Sequence, residues 1–295
     1  MTEAELATAL AARLDAFEGR LGDALRPAFG ALRAARHMTG AELTTLFHPA
    51  AQPLAGVPLW VHEALGGAGD AREALVDLGE SAICGYLRVR LLDDLIDEGE
   101  GEPATVALLG GTLLLRHVQL LQRWAPSERM ARLVSAAWSD HAEAVLLERR
   151  LVADRGDTTE RQWEQILSQG RPLALAGAAL LDRADRWDLL PALETLVFEC
   201  VRSGQVLNDF GDALADYAAG RQTWVVKQLA GDGGGLSILA AYMTGGPALL
   251  GPVLDDSLTR AVEAADALGS RGAAVFLANR RELAAERLGA PELPG

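Results

Sequence analysis

Two acidic segments of the sequence have the residue types and the spacing to bind divalent metal ions. The first is Asp93-Asp94-Leu95-Ile96-Asp97, and the second is Asn208-Asp209 followed by Asp212 and Asp216. On a helix, residues three and four positions apart share one face, so each segment would present oxygen ligands along a stripe. Hard cations such as Mg²⁺ prefer oxygen ligands. Two such stripes facing each other would form a cage for a diphosphate.

The elements that position these segments are predicted to be helices. Ala, Leu and Arg dominate the chain, apolar residues recur at intervals of three and four, and β-type alternation is nearly absent. One predicted helix runs from about Ala71 to Glu98 and ends at Gly99; another runs from about Pro191 to Ala219 and ends before Gly220. The pattern predicts an all-α protein of ten to twelve helices in one bundle, a single domain over residues 1–295.

Local signals predict where several helices begin. Thr2 with Glu5, and Asp157 with Glu160, have the spacing of capping boxes, and Ser127 is a predicted N-cap. Glycine and proline predict the helix breaks. These breaks fall at Gly66-Gly67, Gly99 to Pro103, Ala125-Pro126, Asp154 to Asp157, Gly231 to Gly235, and Gly245-Gly246-Pro247.

The composition narrows the class of protein. The net charge is −14 and the basic residues are scattered, which argues against nucleic acid as a partner. Cys84 and Cys200 have no zinc-type spacing and predict neither a disulfide framework nor a structural zinc site. The N-terminus lacks the pattern of a secretory signal, and the apolar runs are too short for a transmembrane segment, so we expect a cytoplasmic protein.

The second acidic segment is the more specific of the two. Gln205, Asn208, Asp209, Asp212 and Asp216 place a polar residue at nearly every turn of an otherwise apolar helix. Asn208, Asp212 and Asp216 are spaced by four and four, so three oxygen ligands in a row can hold one Mg²⁺. The alternative interpretation is a solvated acidic face without a metal.

In their order and spacing these residues resemble the class I isoprenoid synthase superfamily, which comprises trans-prenyl diphosphate synthases and class I terpene synthases. Asp93-Asp94-x-x-Asp97 is similar to its first aspartate-rich motif. Gln205-x-x-Asn208-Asp209-x-x-Asp212, with Gly220-Arg221, is similar to the second prenyl synthase motif. Alternatively, Asn208, Asp212 and Asp216 occupy the metal-binding positions of a terpene cyclase. The resemblance covers residues from about 80 to 230.

The resemblance implies a helical bundle with a central active-site cavity and three Mg²⁺ ions bound to a linear prenyl diphosphate. The implied metal ligands are Asp93, Asp94, Asp97, Asn208, Asp209, Asp212 and Asp216. The same residues without Asp209 are the implied catalytic residues. Candidate ligands of the diphosphate are Arg90, Arg171, Arg202, Gln205, Arg221 and Lys227. Candidate residues of the pocket wall are Tyr86, Val89, Trp138, Phe198 and Phe210. Many relatives pair as homodimers, so a homodimer is also a candidate assembly.

Departures from the family pattern favour one subfamily. A chain-elongating synthase carries paired arginines after its first motif, whereas this chain has Gly99-Glu100-Gly101-Glu102. Asn208 favours a terpene cyclase, although cyclases usually have Ser or Thr at the position of Asp212 and Glu at that of Asp216. We therefore expect a terpene cyclase first. The alternatives are a prenyl diphosphate synthase that adds isopentenyl diphosphate to an allylic diphosphate, and a non-catalytic helical regulatory subunit.

Overall fold

The computed structural model describes residues 1–67, 71–95, 101–154, 158–231 and 235–289. Every regular element in these ranges is helical, which confirms the all-α prediction. The α-helices are α1 (Glu3–Arg20), α2 (Arg26–Ala35), α3 (Gly56–Ala64), α4 (Arg72–Asp93), α5 (Pro103–Trp124), α6 (Glu128–Asp154), α7 (Glu160–Leu167), α8 (Leu175–Arg183), α9 (Leu190–Ala218), α10 (Trp224–Ala230), α11 (Gly235–Ala240), α12 (Gly246–Leu268) and α13 (Arg271–Gly289). Shorter 3₁₀ segments are Gly40–Phe47, Ser168–Ala174 and Trp187–Leu189, and Ala241–Gly245 is a π-helical turn.

The chain divides into two compact units. The first comprises Met1–Val134, Leu173–Leu190 and Leu268–Gly272, and the second comprises Ser135–Pro172, Pro191–Ala267 and Ala273–Gly295. Asp93 and Asp94 belong to the first unit, whereas Asn208 and the acids after it belong to the second. The single domain expected from the sequence stays a prediction.

Helix α4 forms the centre of the first unit and packs against α1, α5 and α8. Its residues from Ala74 to Gly85 are all buried. Apolar side chains such as Leu10 of α1, Ile83 of α4 and Leu113 of α5 belong to one buried cluster. Burial of this apolar surface is the main contribution to the stability of the unit.

A fully buried carboxylate joins three helices of the first unit. Asp77 Oδ1 accepts a hydrogen bond from Arg13 Nη2 at 2.9 Å. Its Oδ2 accepts from Arg123 Nη1 at 2.7 Å and from the indole N–H of Trp124 at 2.9 Å. These contacts satisfy both oxygens of a group that would be costly to bury without partners.

A second polar contact joins α4 and α5 further along. Glu80, also fully buried, accepts a hydrogen bond from Arg116 Nε at 2.7 Å. The Ser81 hydroxyl donates to the His117 carbonyl at 3.0 Å and lies 2.9 Å from His117 Nδ1. Burial lowers the pKa of His117 to about 4, which favours the neutral imidazole between these helices.

In the second unit, α9 is fixed to α12 through a buried glutamate. Glu199 Oε2 accepts a hydrogen bond from the Ser257 hydroxyl at 2.7 Å, and Oε1 accepts from Arg260 Nε at 2.8 Å. The 3₁₀ segment Ser168–Ala174 also approaches α9 closely. A Cβ on Gly170 would lie 2.6 Å from Val201 Cγ2, so only glycine fits there without movement of a neighbour.

Several predicted helix boundaries are confirmed. Thr2 and Glu5 form both hydrogen bonds of a capping box. The Ser127 hydroxyl accepts a hydrogen bond from the Met130 N–H at 3.0 Å, as an N-cap does. Helix α9 agrees with its predicted range to within one residue at each end. Helix α4 continues as a π-helical turn at Asp94 and Leu95, and its predicted end at Glu98 lies outside the described residues.

Two boundary predictions need correction. Asp157 lies outside the described residues, and α7 is instead capped by Thr159, which forms a capping box with Gln162. The predicted break at Gly245-Gly246-Pro247 is wrong, because the π-helical turn leads directly into α12. Gly246 adopts helical dihedral angles there, and a Cβ on it would lie 2.7 Å from the Phe210 ring. This glycine permits a close packing contact rather than a turn.

Helix α5 has the length and composition of a membrane-spanning helix, with 22 residues and a mean hydropathy of 1.4 over an 18-residue window. Core helices of soluble proteins satisfy the same criteria. Its buried side, which includes Val106, Leu109 and Leu113, packs in the first unit, whereas Leu108 and Leu115 are exposed. One such helix is weak evidence for a transmembrane segment.

We expect Asp77→Ala to lower the free energy of unfolding by about 2–4 kcal/mol, because three donors lose a buried acceptor, although the two arginines can regain water. Urea unfolding followed by circular dichroism measures this loss. The matched control is Asp188→Ala, which removes an exposed ion pair with Arg186 and should change the free energy by less than about 0.5 kcal/mol. An equal decrease in the free energy of unfolding of both variants would contradict a stabilising role for the buried hydrogen bonds of Asp77.

We expect Gly170→Ala to destabilise the protein by about 1–3 kcal/mol, because the added Cβ must displace Val201. Gly211→Ala, at an exposed position of α9 with open space for a Cβ, should be neutral or stabilising. In a double-mutant cycle, Val201→Ala should recover part of the loss caused by Gly170→Ala. Strict additivity in that cycle would refute the proposed steric contact.

Candidate functional site

The C-terminal end of α9 positions a glycine and an arginine beside the second acidic segment. The Gly220 N–H donates to the Tyr217 carbonyl at 3.0 Å, and the Arg221 N–H donates to the Asp216 carbonyl at 2.8 Å. Gly220 has a φ of +76°, so this is a Schellman-type helix end. The Arg221 guanidinium then contacts the Asp216 carboxylate at 2.7 Å. The helix end therefore fixes the Gly220-Arg221 pair relative to Asp216.

The polar side chains of α9 lie in two different environments. Asn208 and Asp212, one turn apart, are exposed, whereas Asp209 and Asp216 are buried. The separation follows from helix geometry, because residues 209 and 216 are two turns apart on the same face. Burial raises the pKa of Asp216, as does the nearby Asp212, while Arg221 acts in the opposite direction. A bound cation near these carboxylates would favour their ionised forms.

Asp209 has the most strongly perturbed environment of these acids. Its Oδ1 accepts a hydrogen bond from the Gln205 amide at 2.6 Å. Burial raises the pKa of Asp209 to about 8, opposed by the Gln205 hydrogen bond and reinforced by the carboxylates of Glu148, Asp216 and Asp212. At neutral pH the folded chain thus favours a protonated Asp209, which is a poor metal ligand.

A small cavity of about 50 Å³ lies beside Asp209, within the second unit. It is lined by Glu148, Leu151, Val152, Thr158, Trp163, Ile166, Gln205, Asp209, Arg221, Gln222, Thr223 and Trp224. This volume holds roughly three water molecules and is too small for a prenyl chain. The predicted pocket-wall residues Tyr86, Val89, Trp138, Phe198 and Phe210 do not line it.

An aromatic stack forms one side of this cavity. The rings of Trp163 and Trp224 are stacked with centroids 4.2 Å apart. The guanidinium of Arg202 lies over the Trp163 ring at 5.2 Å and is buried. Arg202, a candidate diphosphate ligand, is therefore held by a cation–π contact in this structure. Among the residues that the structure describes, neither the Nε of Arg202 nor the indole nitrogen of Trp163 has a hydrogen-bond partner.

The described acids of the first acidic segment, Asp93 and Asp94, form ion pairs with arginines. Arg90 Nη1 lies 3.2 Å from Asp93 Oδ2, and Arg90 Nη2 lies 3.7 Å from Asp94 Oδ1. Arg36, at the end of α2, also donates a hydrogen bond to Asp94. Asp97 lies outside the described residues. Arg90 therefore pairs with the acids of its own segment. The contact of Arg36 with Asp94 could not be predicted from the sequence, because the two residues lie on different helices.

The other predicted diphosphate ligands lie in separate places of the second unit. Arg171 is in the 3₁₀ segment before α8 and pairs with Asp140 and with Glu194, the latter at 3.6 Å. Lys227 is half-buried on α10. Their proposed role with a diphosphate stays a prediction.

The predicted pocket-wall residues are distributed over both units. Tyr86 and Val89 are half-buried on α4, and burial raises the pKa of Tyr86. Trp138, half-buried on α6, packs edge-to-face on His141 with ring centroids 5.3 Å apart. Phe198 is half-buried, and Phe210 packs against Tyr242 with centroids 4.8 Å apart. The contact of Phe210 is a packing contact with α12 and its preceding π-helical turn.

Glu148, Thr158, Trp163 and Trp224 are cavity residues that the sequence did not single out. Thr158 and Trp163 lie next to the Thr159 cap of α7, and Trp224 follows the Thr223 cap of α10. The Thr158 hydroxyl donates to the Gln222 carbonyl at 3.0 Å, which joins the chain before α7 to the chain before α10. The capping residues Thr159 and Thr223 could have indicated from the sequence where α7 and α10 begin. They could not have indicated that these two helix starts line the same cavity.

Within the described ranges, no three His, Cys, Asp or Glu side chains are placed to hold a metal ion. Asn208, one of the predicted ligands, is outside those residue types. Comparisons with protein-family models, curated proteins and solved structures find no match to the chain. The resemblance to isoprenoid synthases therefore rests on the sequence motifs.

We expect Asp209→Asn to stabilise the protein increasingly as the pH rises. Asp209 has a pKa of about 8 in the folded chain and near 3.8 otherwise, so between these values the folded state binds more protons. Rising pH therefore lowers the free energy of unfolding of the parent protein. Between pH 5 and pH 8 the advantage of the Asn variant should grow by about 3–4 kcal/mol, measured by urea unfolding in EDTA.

Asp212→Asn is the matched control, because Asp212 is exposed on the same helix. Its effect on the free energy of unfolding should change much less over this pH range. A pH-independent effect of Asp209→Asn would show that Asp209 is ionised in the folded chain.

Proposed function

We propose that the chain is a magnesium-dependent class I terpene synthase that ionises a linear prenyl diphosphate and releases a terpene hydrocarbon or alcohol. The observation that carries the proposal is the arrangement at the end of α9. Asn208 and Asp212 are exposed one turn apart, and Asp216 holds the Arg221 guanidinium at 2.7 Å. Oxygen ligands beside a fixed guanidinium suit a complex of Mg²⁺ with a diphosphate.

The donor set of α9 fits Mg²⁺ in its chemistry. Asn208, Asp212 and Asp216 offer hard oxygen atoms, and the desolvated Asp216 would gain from a nearby cation. Asp209 fits less well, because burial raises the pKa of its carboxyl group to about 8 and its Oδ1 already accepts a hydrogen bond from Gln205. In the first segment, Asp93 and Asp94 would have to release Arg90 and Arg36 before they could bind a metal.

In the proposed reaction the C–O bond of the allylic diphosphate breaks, and the bonding electrons leave with the diphosphate. Mg²⁺, when bound, supplies Lewis-acid stabilisation of that leaving group. Arg221 would bind diphosphate oxygens and so add positive charge where negative charge develops. No side-chain nucleophile is required. Apolar side chains would surround the carbocation and exclude water until a proton is lost or water is admitted.

Two alternatives follow from particular observations. Asp212 stands where a cyclase usually has Ser or Thr, which favours a prenyl diphosphate synthase that uses isopentenyl diphosphate. The ion pairs of Asp93 and Asp94 with Arg90 and Arg36 favour a non-catalytic subunit of the same fold, because those carboxylates are already neutralised. The three candidates differ in their products.

We expect the protein to convert at least one of geranyl, farnesyl and geranylgeranyl diphosphate into a hydrocarbon or alcohol when Mg²⁺ is present. Gas chromatography with mass spectrometry identifies the product. Asn208→Ala and Asp212→Ala should each lower the rate by roughly 100-fold or more, because each removes an oxygen ligand. Asp266→Ala removes an exposed acid on α12 and is the matched control, with unchanged rate.

The outcome separates the candidates. A product longer than the substrate, formed only with isopentenyl diphosphate, would identify a prenyl diphosphate synthase. Absence of any product, together with no calorimetric binding of a non-hydrolysable diphosphate analogue in the presence of Mg²⁺, would identify a non-catalytic protein. Circular dichroism of each alanine variant checks that its helical content is retained.

A further inference from the structure

Helix α5 of the first unit has an apolar face that is open to solvent. Leu108 and Leu115, two turns apart on this face, are each 64% exposed. Ala104, Gly111 and Gln122 are exposed along the same side of the helix. Only 39% of the most apolar 18-residue stretch of α5 is buried. The rest of the described chain therefore leaves this face uncovered.

Both charged side chains of α5 bind acids of α4, so the exposed face carries no charge. Arg116 donates to Glu80 at 2.7 Å, and Arg123 donates to Asp77 at 2.7 Å. Two charged residues among 22 is a low fraction for a chain in which 23% of the residues are charged. Two copies of a chain with a net charge of −14 repel each other. An uncharged face is where they can approach at the lowest electrostatic cost.

Gly111 is an independent indication that another helix approaches this face closely. It lies in the middle of α5, where glycine is less favourable than alanine. A Cβ on Gly111 would meet no atom of the described chain within 4 Å, so packing within the chain does not require glycine there. Gly110 differs, because it is buried and a Cβ on it would contact Leu91 at 3.9 Å. An exposed glycine permits close approach of a second backbone.

The side chains of this face are arranged symmetrically along the helix. Leu108 and Leu115 lie at equal distances from the point between Gly111 and Thr112. With a two-fold axis at this point, two antiparallel α5 helices would place Leu108 of one copy opposite Leu115 of the other. Gly111 would then lie opposite Thr112, where both side chains are small. The pattern therefore fits a second copy of the same helix.

The spacing of the exposed positions also suits helix pairing. Alternating steps of four and three residues, the spacing of a seam between two helices, connect Ala104, Leu108, Gly111, Leu115, Val118 and Gln122. Such a seam is continuous over nearly the whole length of α5.

We propose that α5 is the interface of a homodimer in which two copies pack antiparallel, with Leu108 of each copy against Leu115 of the other. The outward face of this 22-residue helix is about 33 Å long and about 10 Å wide, so the contact buries about 650 Å² in total. Interfaces of less than about 1,200 Å² are typical of transient complexes. We therefore expect a dimer that dissociates on dilution. It requires neither Mg²⁺ nor a diphosphate and is independent of the proposed function.

Sedimentation velocity of the full chain in EDTA, over a wide range of concentrations, tests the proposal. The sedimentation coefficient should rise with concentration towards that of a dimer. Leu108→Lys and Leu115→Glu should each weaken association by about tenfold or more, because each places a charge against an apolar side chain. Leu146→Lys, at an exposed leucine of α6, is the matched control and should change the dissociation constant by less than about twofold.

A mixture of the two single variants tests the antiparallel alignment. In a mixed dimer, the lysine introduced at position 108 lies opposite the glutamate introduced at position 115, and the two unchanged leucines face each other. The mixture should therefore associate at least about tenfold more tightly than either variant alone. In a parallel alignment each introduced charge would face a leucine, and the mixture would show no recovery.

Gly111→Leu separates specific packing from nonspecific apolar association. The substitution enlarges the apolar face but holds the two helices apart. The specific dimer should therefore weaken by about fivefold or more, whereas nonspecific association would become stronger. Circular dichroism checks that every variant keeps its helical content.

Four results would overturn the proposal. These are a monomer at all concentrations, equal effects of Leu146→Lys and Leu108→Lys, no recovery in the mixture, and stronger association of Gly111→Leu. A monomer that binds phosphatidylcholine vesicles, and loses this binding with Leu108→Lys, would assign the face to a membrane surface instead. Because sedimentation is measured without Mg²⁺ or substrate, failure of the terpene synthase assay would leave the dimer proposal intact.

Discussion

The burial of the Asp77 carboxylate is the constraint on which the first unit depends. A carboxylate without exposed surface must find hydrogen-bond donors, and Asp77 finds them on α1 and α5 through Arg13, Arg123 and Trp124. This one group therefore determines how the two neighbouring helices meet the beginning of α4. The apolar core fills the space between the helices, but apolar packing alone is not directional.

Helix α9 shows how one acidic segment can contain groups of different chemistry. Asn208 and Asp212 are in water, where an oxygen ligand is available to a cation at little cost. Asp209 is one residue away and faces the interior, where desolvation favours its neutral form. Asn208, Asp209 and Asp212 lie close together in the sequence. The difference between them therefore arises from which face of α9 packs against the interior of the unit. The acids of such a motif are not equivalent, and only some are suited to bind a metal.

The sequence predicted the helices well because the signals for helices are local. The period of apolar residues, the Thr2 cap and Gly220 each act within a few residues, and all three agree with the structure. The Gly245-Gly246 prediction was wrong because Gly246 is required by the Phe210 ring, which is distant in sequence. The Arg36 contact with Asp94 and the cavity beside Asp209 also depend on tertiary packing. The motifs could therefore be located from the sequence, but their partners could not.

The stacked indoles of Trp163 and Trp224 have a consequence for how this protein can be observed. Two stacked chromophores 4.2 Å apart couple their electronic transitions. This coupling produces a paired positive and negative band in circular dichroism when the transition directions within the two ring planes are rotated relative to each other. Both rings line the cavity beside Asp209. The second unit thus contains an intrinsic optical probe, and a change in the spacing or angle of these rings would alter the spectrum without any added label.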